Sequence, residues 1–100
     1  MARRKSIHIE GFAHKNPIPN ASMIGNLLVT GVIMGRDTRS DTTPDRIEEQ
    51  CAIMFRHVRD IVEAAGGSTD AIIKMTVWLK DSADRRVLNA EWTAMLPDHE

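Results

Sequence analysis

The apolar positions of this chain follow two rhythms. From residue 47 onward, Ile47, Cys51, Met54, Phe55, Val58, Ile61, Val62 and Ala65 recur every three or four residues. Arg46, Glu49, Arg56, Arg59, Asp60 and Glu63 fill the other side, the signature of a helix with one packed and one wetted face. Thr43 offers a capping hydroxyl, Pro44 suits the first helical position and Asp45 suits the positive end of the helix dipole, so the spacing predicts a helix from Pro44. Gly66 is placed to end it in the left-handed conformation, with Gly67-Ser68-Thr69 as the connection. His57, next to Arg56, reads as a solvated or boundary residue.

The second rhythm has period two. Ile7, Ile9 and Phe12 suggest a short first strand before Asn16-Pro17-Ile18-Pro19-Asn20 breaks regularity. Ser22 to Ile33 holds Gly25-Asn26 as a tight hairpin turn, followed by the nearly continuous apolar run Leu27 to Ile33, expected to be a strand buried on both faces. Gly35 to Thr43 is polar and turn-rich and reads as a mobile surface loop. Ala71 to Lys80 is expected as a strand, with Ile73, Met75, Val77 and Leu79 against a helix layer. Its other face, with Ile72, Lys74, Thr76, Trp78 and Lys80, would form an intersubunit surface or pocket wall. Asp81 or Ser82 is placed to cap a second helix with Leu88, Trp92, Met95 and Leu96 inward, ended by Pro97. Helices segregated against a small mixed sheet make an α+β layer the simplest architecture.

Composition narrows the function classes. One hundred residues make a single small domain, for which self-association is an expected source of stability. A formal net charge of -1 gives no global attraction to nucleic acid or anionic lipid, and the local basic run Arg3-Arg4-Lys5 reads as a solvated tail. Cys51 is the single cysteine, so an internal disulfide is excluded and a reducing, cytoplasmic setting is expected. Neither a membrane span nor a signal peptide is expected.

The residues that could carry chemistry are sparse. His8, His14, His57 and His99 lack metal-ligand spacing, Cys51 sits on an apolar stripe as an inert thiol would, and Gly66-Gly67 is a helix stop rather than a dinucleotide loop. Ser22, Ser40 and Ser68 show no nucleophile signature. Neither a metal nor a cofactor is expected.

A set of ordered motifs adds to this. Gly25-Asn26-Leu27-Leu28-Val29-Thr30-Gly31, Ile47-Glu48-Glu49-Gln50, Val62 to Gly66, Asp70 to Asp81, and Val87-Leu88-Asn89-Ala90-Glu91-Trp92 together resemble the RidA/YjgF family, also labelled endoribonuclease L-PSP and translation initiation inhibitor. The resemblance runs from about Asn16 to Pro97. It implies a chorismate-mutase-like α+β fold, a mixed sheet with two helices on one face, assembled as a homotrimer with ligand clefts between subunits.

It further implies cofactor-independent hydrolysis of enamine or imine intermediates, small and carboxylate-bearing, to 2-oxo acids and ammonia, as in amino-acid catabolism or 2-aminomuconate deamination. The alternatives are a non-catalytic small-molecule-binding or chaperone-like trimer and, more weakly, an endoribonuclease. In the family an arginine beyond the second helix clamps the substrate carboxylate and a glutamate on the last strand places the water. The sequence stops at Pro97-Asp98-His99-Glu100, before those positions, and is expected to be a shortened version of a longer polypeptide, the alternative being a short member that has lost the clamp and would be a poor deaminase. The catalytic residues are thus unassigned. Gly31, Asn89, Thr30 and Ile18 are the substrate-binding candidates, Thr30 standing in place of the usual serine and Ile18 near the place of an aromatic residue.

Overall fold

The computed structural model describes residues 4–8 and 20–97. Ile9, Phe12 and Ile18 of the sequence reading lie outside them. Three short antiparallel strands, β1 (Lys5–Ile7), β2 (Ala21–Ile24) and β3 (Leu27–Thr30), form a sheet in the order β1-β2-β3. Two helices, α1 (Ile47–Ala64) and α2 (Arg85–Met95), pack on one side of it. The α+β class expected from the sequence is the one observed, and a thickness of 19 Å suits one helix layer on one sheet.

Gly25 and Asn26 do form the hairpin turn. Gly25 has φ +58° at the first central position while Asn26 stays at negative φ, the order in which glycine leads a two-residue turn compatible with strand twist. Pairing fixes which residues share a face. Ile7, Ala21 and Thr30 lie in one cross-strand row, and Met23 pairs with Leu28 on that same face. This face meets α1, where Ile7, Ala21 and Ile61 form one buried cluster with Met23 and Leu28 against it.

On the opposite face Ile24 pairs with Leu27 and Ser22 with Val29. Ile24, Leu27 and Val29 are exposed there, so the expected strand buried on both faces is covered on one only. It is also shorter than expected, ending at Thr30, with Val32 and Met34 exposed beyond it.

The inward stripe of α1 is as the periodicity predicts, and the helix stands between two clusters. Ile61 faces the sheet, while Phe55, Val58 and Val62 join Leu88 and Met95 of α2. Phe55 meets Trp92 edge to face, with ring centroids 6.4 Å apart at 74°. The helix starts at Ile47, three residues later than Pro44, and Thr43 does not cap it: the cap position is Arg46, in extended geometry. Gln50 explains the delay, because its side-chain amide donates to the Pro44 carbonyl at 2.6 Å and holds that carbonyl out of the helical ladder. At the other end Gly66 (φ +86°) donates to Glu63 O at 2.9 Å and Gly67 to Val62 O at 3.0 Å, the paired bonds of a Schellman stop.

Residues 72–80 differ most from expectation. A 3-10 turn, Thr69–Ala71, replaces the start of the expected strand, and no ladder joins residues 72–80 to a neighbouring strand among the described residues. Strand-like alternation survives in burial, with Met75, Val77 and Leu79 packed on the helices and Thr76, Trp78 and Lys80 outward. The turn shifts the phase at its start, so that Ile72 packs inward and Ile73, expected inward, is 95% exposed. Asp81 then caps the 3-10 turn Ser82–Asp84 that leads into α2, accepting from Ala83 N at 2.9 Å. Leu88 and Met95 are buried and Trp92 and Leu96 half-buried, as the second helical stripe requires.

Candidate functional site

Thr30 closes the hairpin opposite Ala21, so its hydroxyl lies on the helix-side face at the margin of the sheet. Gly31 follows at once, and its N–H donates to Asn20 O at 3.0 Å, which extends the hairpin by one rung. That amide is therefore committed to the fold and is not a free donor. Asn89 is exposed on α2, beside the buried Leu88 that anchors the helix. Thr30 and Gly31 are thus adjacent at one strand end and Asn89 comes from a different layer. Ile18 lies outside the described residues.

Beyond Gly31 the backbone crosses α1 and is docked there. Ile33 packs against both core clusters. Gly35 lies so close to α1 that a Cβ built on it would sit 2.3 Å from the Gln50 carbonyl oxygen. Next to it the Arg36 carbonyl accepts a hydrogen bond from His57 Nε2 at 2.9 Å.

His57 is only 4% exposed, which corrects the reading of it as a solvated or boundary residue. The spacing held a signal for this, since Met54, His57 and Ile61 are three and four residues apart on one arc of α1. The partner that makes burial of an imidazole acceptable comes from 21 residues earlier and is invisible to local pattern.

The polar segment after Arg36 is the expected turn-rich surface segment, tied by its own hydrogen bonds. Asp37 N donates to Thr42 O at 2.8 Å, Arg39 N donates to Asp37 Oδ1 at 2.9 Å, and the Ser40 and Thr42 hydroxyls are 2.7 Å apart. Arg36 pairs with Asp41, which itself takes the left-handed conformation at φ +56°. Short Asp, Ser and Thr side chains capture backbone and one another within the turn, as such residues do.

Cys51 is buried, and burial first, then the carboxylates of Glu91, Asp84 and Glu48, push its thiol above the usual range. Burial and the neighbouring negative charges both favour the protonated thiol over the reactive thiolate. Among the described residues, no group of three or more His, Cys, Asp and Glu could hold a metal ion, and no helix is long and apolar enough to cross a membrane.

The hairpin sheet carrying two helices on one face has the small α+β fold of the RidA/YjgF structures. Residues 10–100 match the family model described as Endoribonuclease L-PSP, and the chain belongs to that family.

Its sequence is 30% identical over 76 residues to the 2-iminobutanoate/2-iminopropanoate deaminase of Escherichia coli strain K12, a match covering 76% of this chain and 59% of that protein. A RutC family protein of Pasteurella multocida is 33% identical over 89 residues, covering 88% of this chain and 69% of the relative. The crystal structure of the YjgF gene product of E. coli superposes with a TM-score of 0.83 at 30% identity, over 90% of this chain and 72% of that one. The match to the E. coli deaminase thus spans less than two thirds of that protein's length.

Proposed function

We propose that this chain serves the cofactor-independent hydrolysis of small imine or enamine carboxylates to 2-oxo acids and ammonia. The observation that carries the reading is the likeness to the E. coli 2-iminobutanoate/2-iminopropanoate deaminase, whose name states a substrate of that class. In this chemistry water adds to the imine carbon and a proton moves to nitrogen. The carbinolamine then collapses, so that the C–N bond breaks, C=O forms and ammonia leaves. Catalysis needs the substrate held in one orientation and its developing charge met by placed dipoles. Asn89 supplies an amide able to donate and accept, Thr30 a hydroxyl on the helix side of the sheet, and Gly31 a backbone that a ligand can approach without meeting a side chain.

The test is ammonia release from freshly generated 2-iminobutanoate, with the folded chain, with buffer alone, and with Asn89→Ala. Acceleration over buffer is expected, and loss of one placed donor in the variant should lower it by about 100-fold. Folded protein that leaves the decay rate at its buffer value would sink the deaminase reading; if it still bound 2-oxobutanoate, the non-catalytic ligand-binding alternative would stand in its place.

The assembly we propose is a homotrimer in the cytoplasm with clefts between subunits. Support comes from the outer sheet face, where Ile24, Leu27 and Val29 stand exposed as cross-strand and same-strand neighbours. Trp78, 81% exposed, adds to the uncovered apolar surface. A contiguous apolar face of this kind is usually covered by another chain. Sedimentation equilibrium should give the mass of three chains, with Leu27→Asp shifting it toward one; a single-chain mass for the unaltered protein at every concentration would rule the trimer out.

A further inference from the structure

We infer that His57 is a positioning residue for the candidate Thr30-Gly31 strand end, acting through the Arg36 carbonyl to fix the segment that follows it. This rests on the ligand-binding role proposed for that strand end. Residues 31–36 belong to no helix or strand, so their backbone groups need partners from elsewhere. Val32 and Met34 are exposed and give the segment little packing. It is held instead at its leading end by the Gly31 to Asn20 bond, in the middle by Ile33, and at its far end by Gly35 on Gln50 and by His57 on Arg36.

A carbonyl oxygen only accepts, so the 2.9 Å contact assigns the proton to Nε2 of His57. The ring is carried by α1, two residues from the buried Phe55 and next to the buried Val58, so the donor stands on a rigid element. A donor on a helix holding a carbonyl of an irregular segment transmits the rigidity of the core to that segment and to the glycine it begins with.

Two measurements test this on the whole chain. In the unaltered protein, the imidazole nitrogen spectrum should show His57 protonated at Nε2. An unprotonated Nε2 would overturn the inference without any variant.

Second, His57→Leu, which keeps apolar bulk without a donor, should raise exchange of the hydrogen-bonded Gly31 and Asp37 amides that flank the segment about tenfold over any change in α2. It should also weaken 2-oxobutanoate binding, followed by the Thr30 and Gly31 amide shifts, by about fivefold. His57→Gln, whose amide reaches a similar position, should restore both. Exchange of these two amides that stays at the wild-type value, or that rises no more than α2 does, contradicts the positioning role. Absence of 2-oxobutanoate binding by the unaltered chain counts against the proposed function alone, because the exchange comparison still decides what His57 does.

Discussion

Phe55→Ala should cost this domain about 3–5 kcal/mol, the range for truncating a buried aromatic side chain to alanine. Phe55 is 2% exposed, belongs to the cluster that joins α1 to α2, and makes the edge-to-face contact with Trp92. Removing the ring opens a cavity between the two helices and leaves Trp92 without that partner. A domain of this length has about 5–15 kcal/mol to lose in total, so the variant should sit close to the edge of folding. Urea unfolding followed by circular dichroism measures it, and Phe55→Leu should fall between the two. A loss below about 1 kcal/mol would mean that the helix pair is held by something other than this cluster.

Gly35→Ala should be nearly as damaging, for a different reason. The new methyl would sit 2.3 Å from the Gln50 carbonyl oxygen, 2.8 Å from its carbon and 2.9 Å from its Cα, all of them backbone atoms of α1. Such atoms cannot swing aside as a side chain would, so the segment must lift from the helix and strain or break the neighbouring His57 to Arg36 and Gln50 to Pro44 bonds. The expected cost is about 3 kcal/mol, at the upper end for overpacking. Thermal unfolding should show a large fall in midpoint for Gly35→Ala. Gly67→Ala, whose methyl would meet Val62 Cγ1 at an ordinary 3.4 Å, should change it little. Equal midpoints for the two variants would contradict the close approach.

These two sites mark the boundary of what the sequence made legible. The Phe55 stripe, the Gly25-Asn26 turn, the Gly66 stop and the Asp81 cap each rest on neighbours within a turn or two, and each was readable from spacing and turn chemistry. Gly35 and His57 matter because a segment remote along the chain lies against α1, and nothing local announces that contact. The helix start moved for a related reason, since Gln50 reaches six residues back to Pro44. Residues 72–80 kept their alternation but not a ladder, because pairing depends on a partner strand rather than on the strand's own pattern. Thr30, Gly31 and Asn89 came from the family resemblance, as polar residues at a strand end and on a helix carry no spacing that singles them out.

Residues 72–80 also bear on the tendency of such a chain to aggregate. The run from Ile72 to Leu79 is rich in branched and aromatic residues of the kind that nucleates fibrils when its backbone is unpaired. Lys74 interrupts it and Lys80 closes it, and both are exposed. Stacking identical chains in register would set Lys74 over Lys74 and Lys80 over Lys80, so every added copy would meet like charge at two places. Open-ended growth is thereby opposed by the same segment whose apolar side chains would otherwise invite it, while a closed assembly that keeps those ammonium groups apart carries no such penalty.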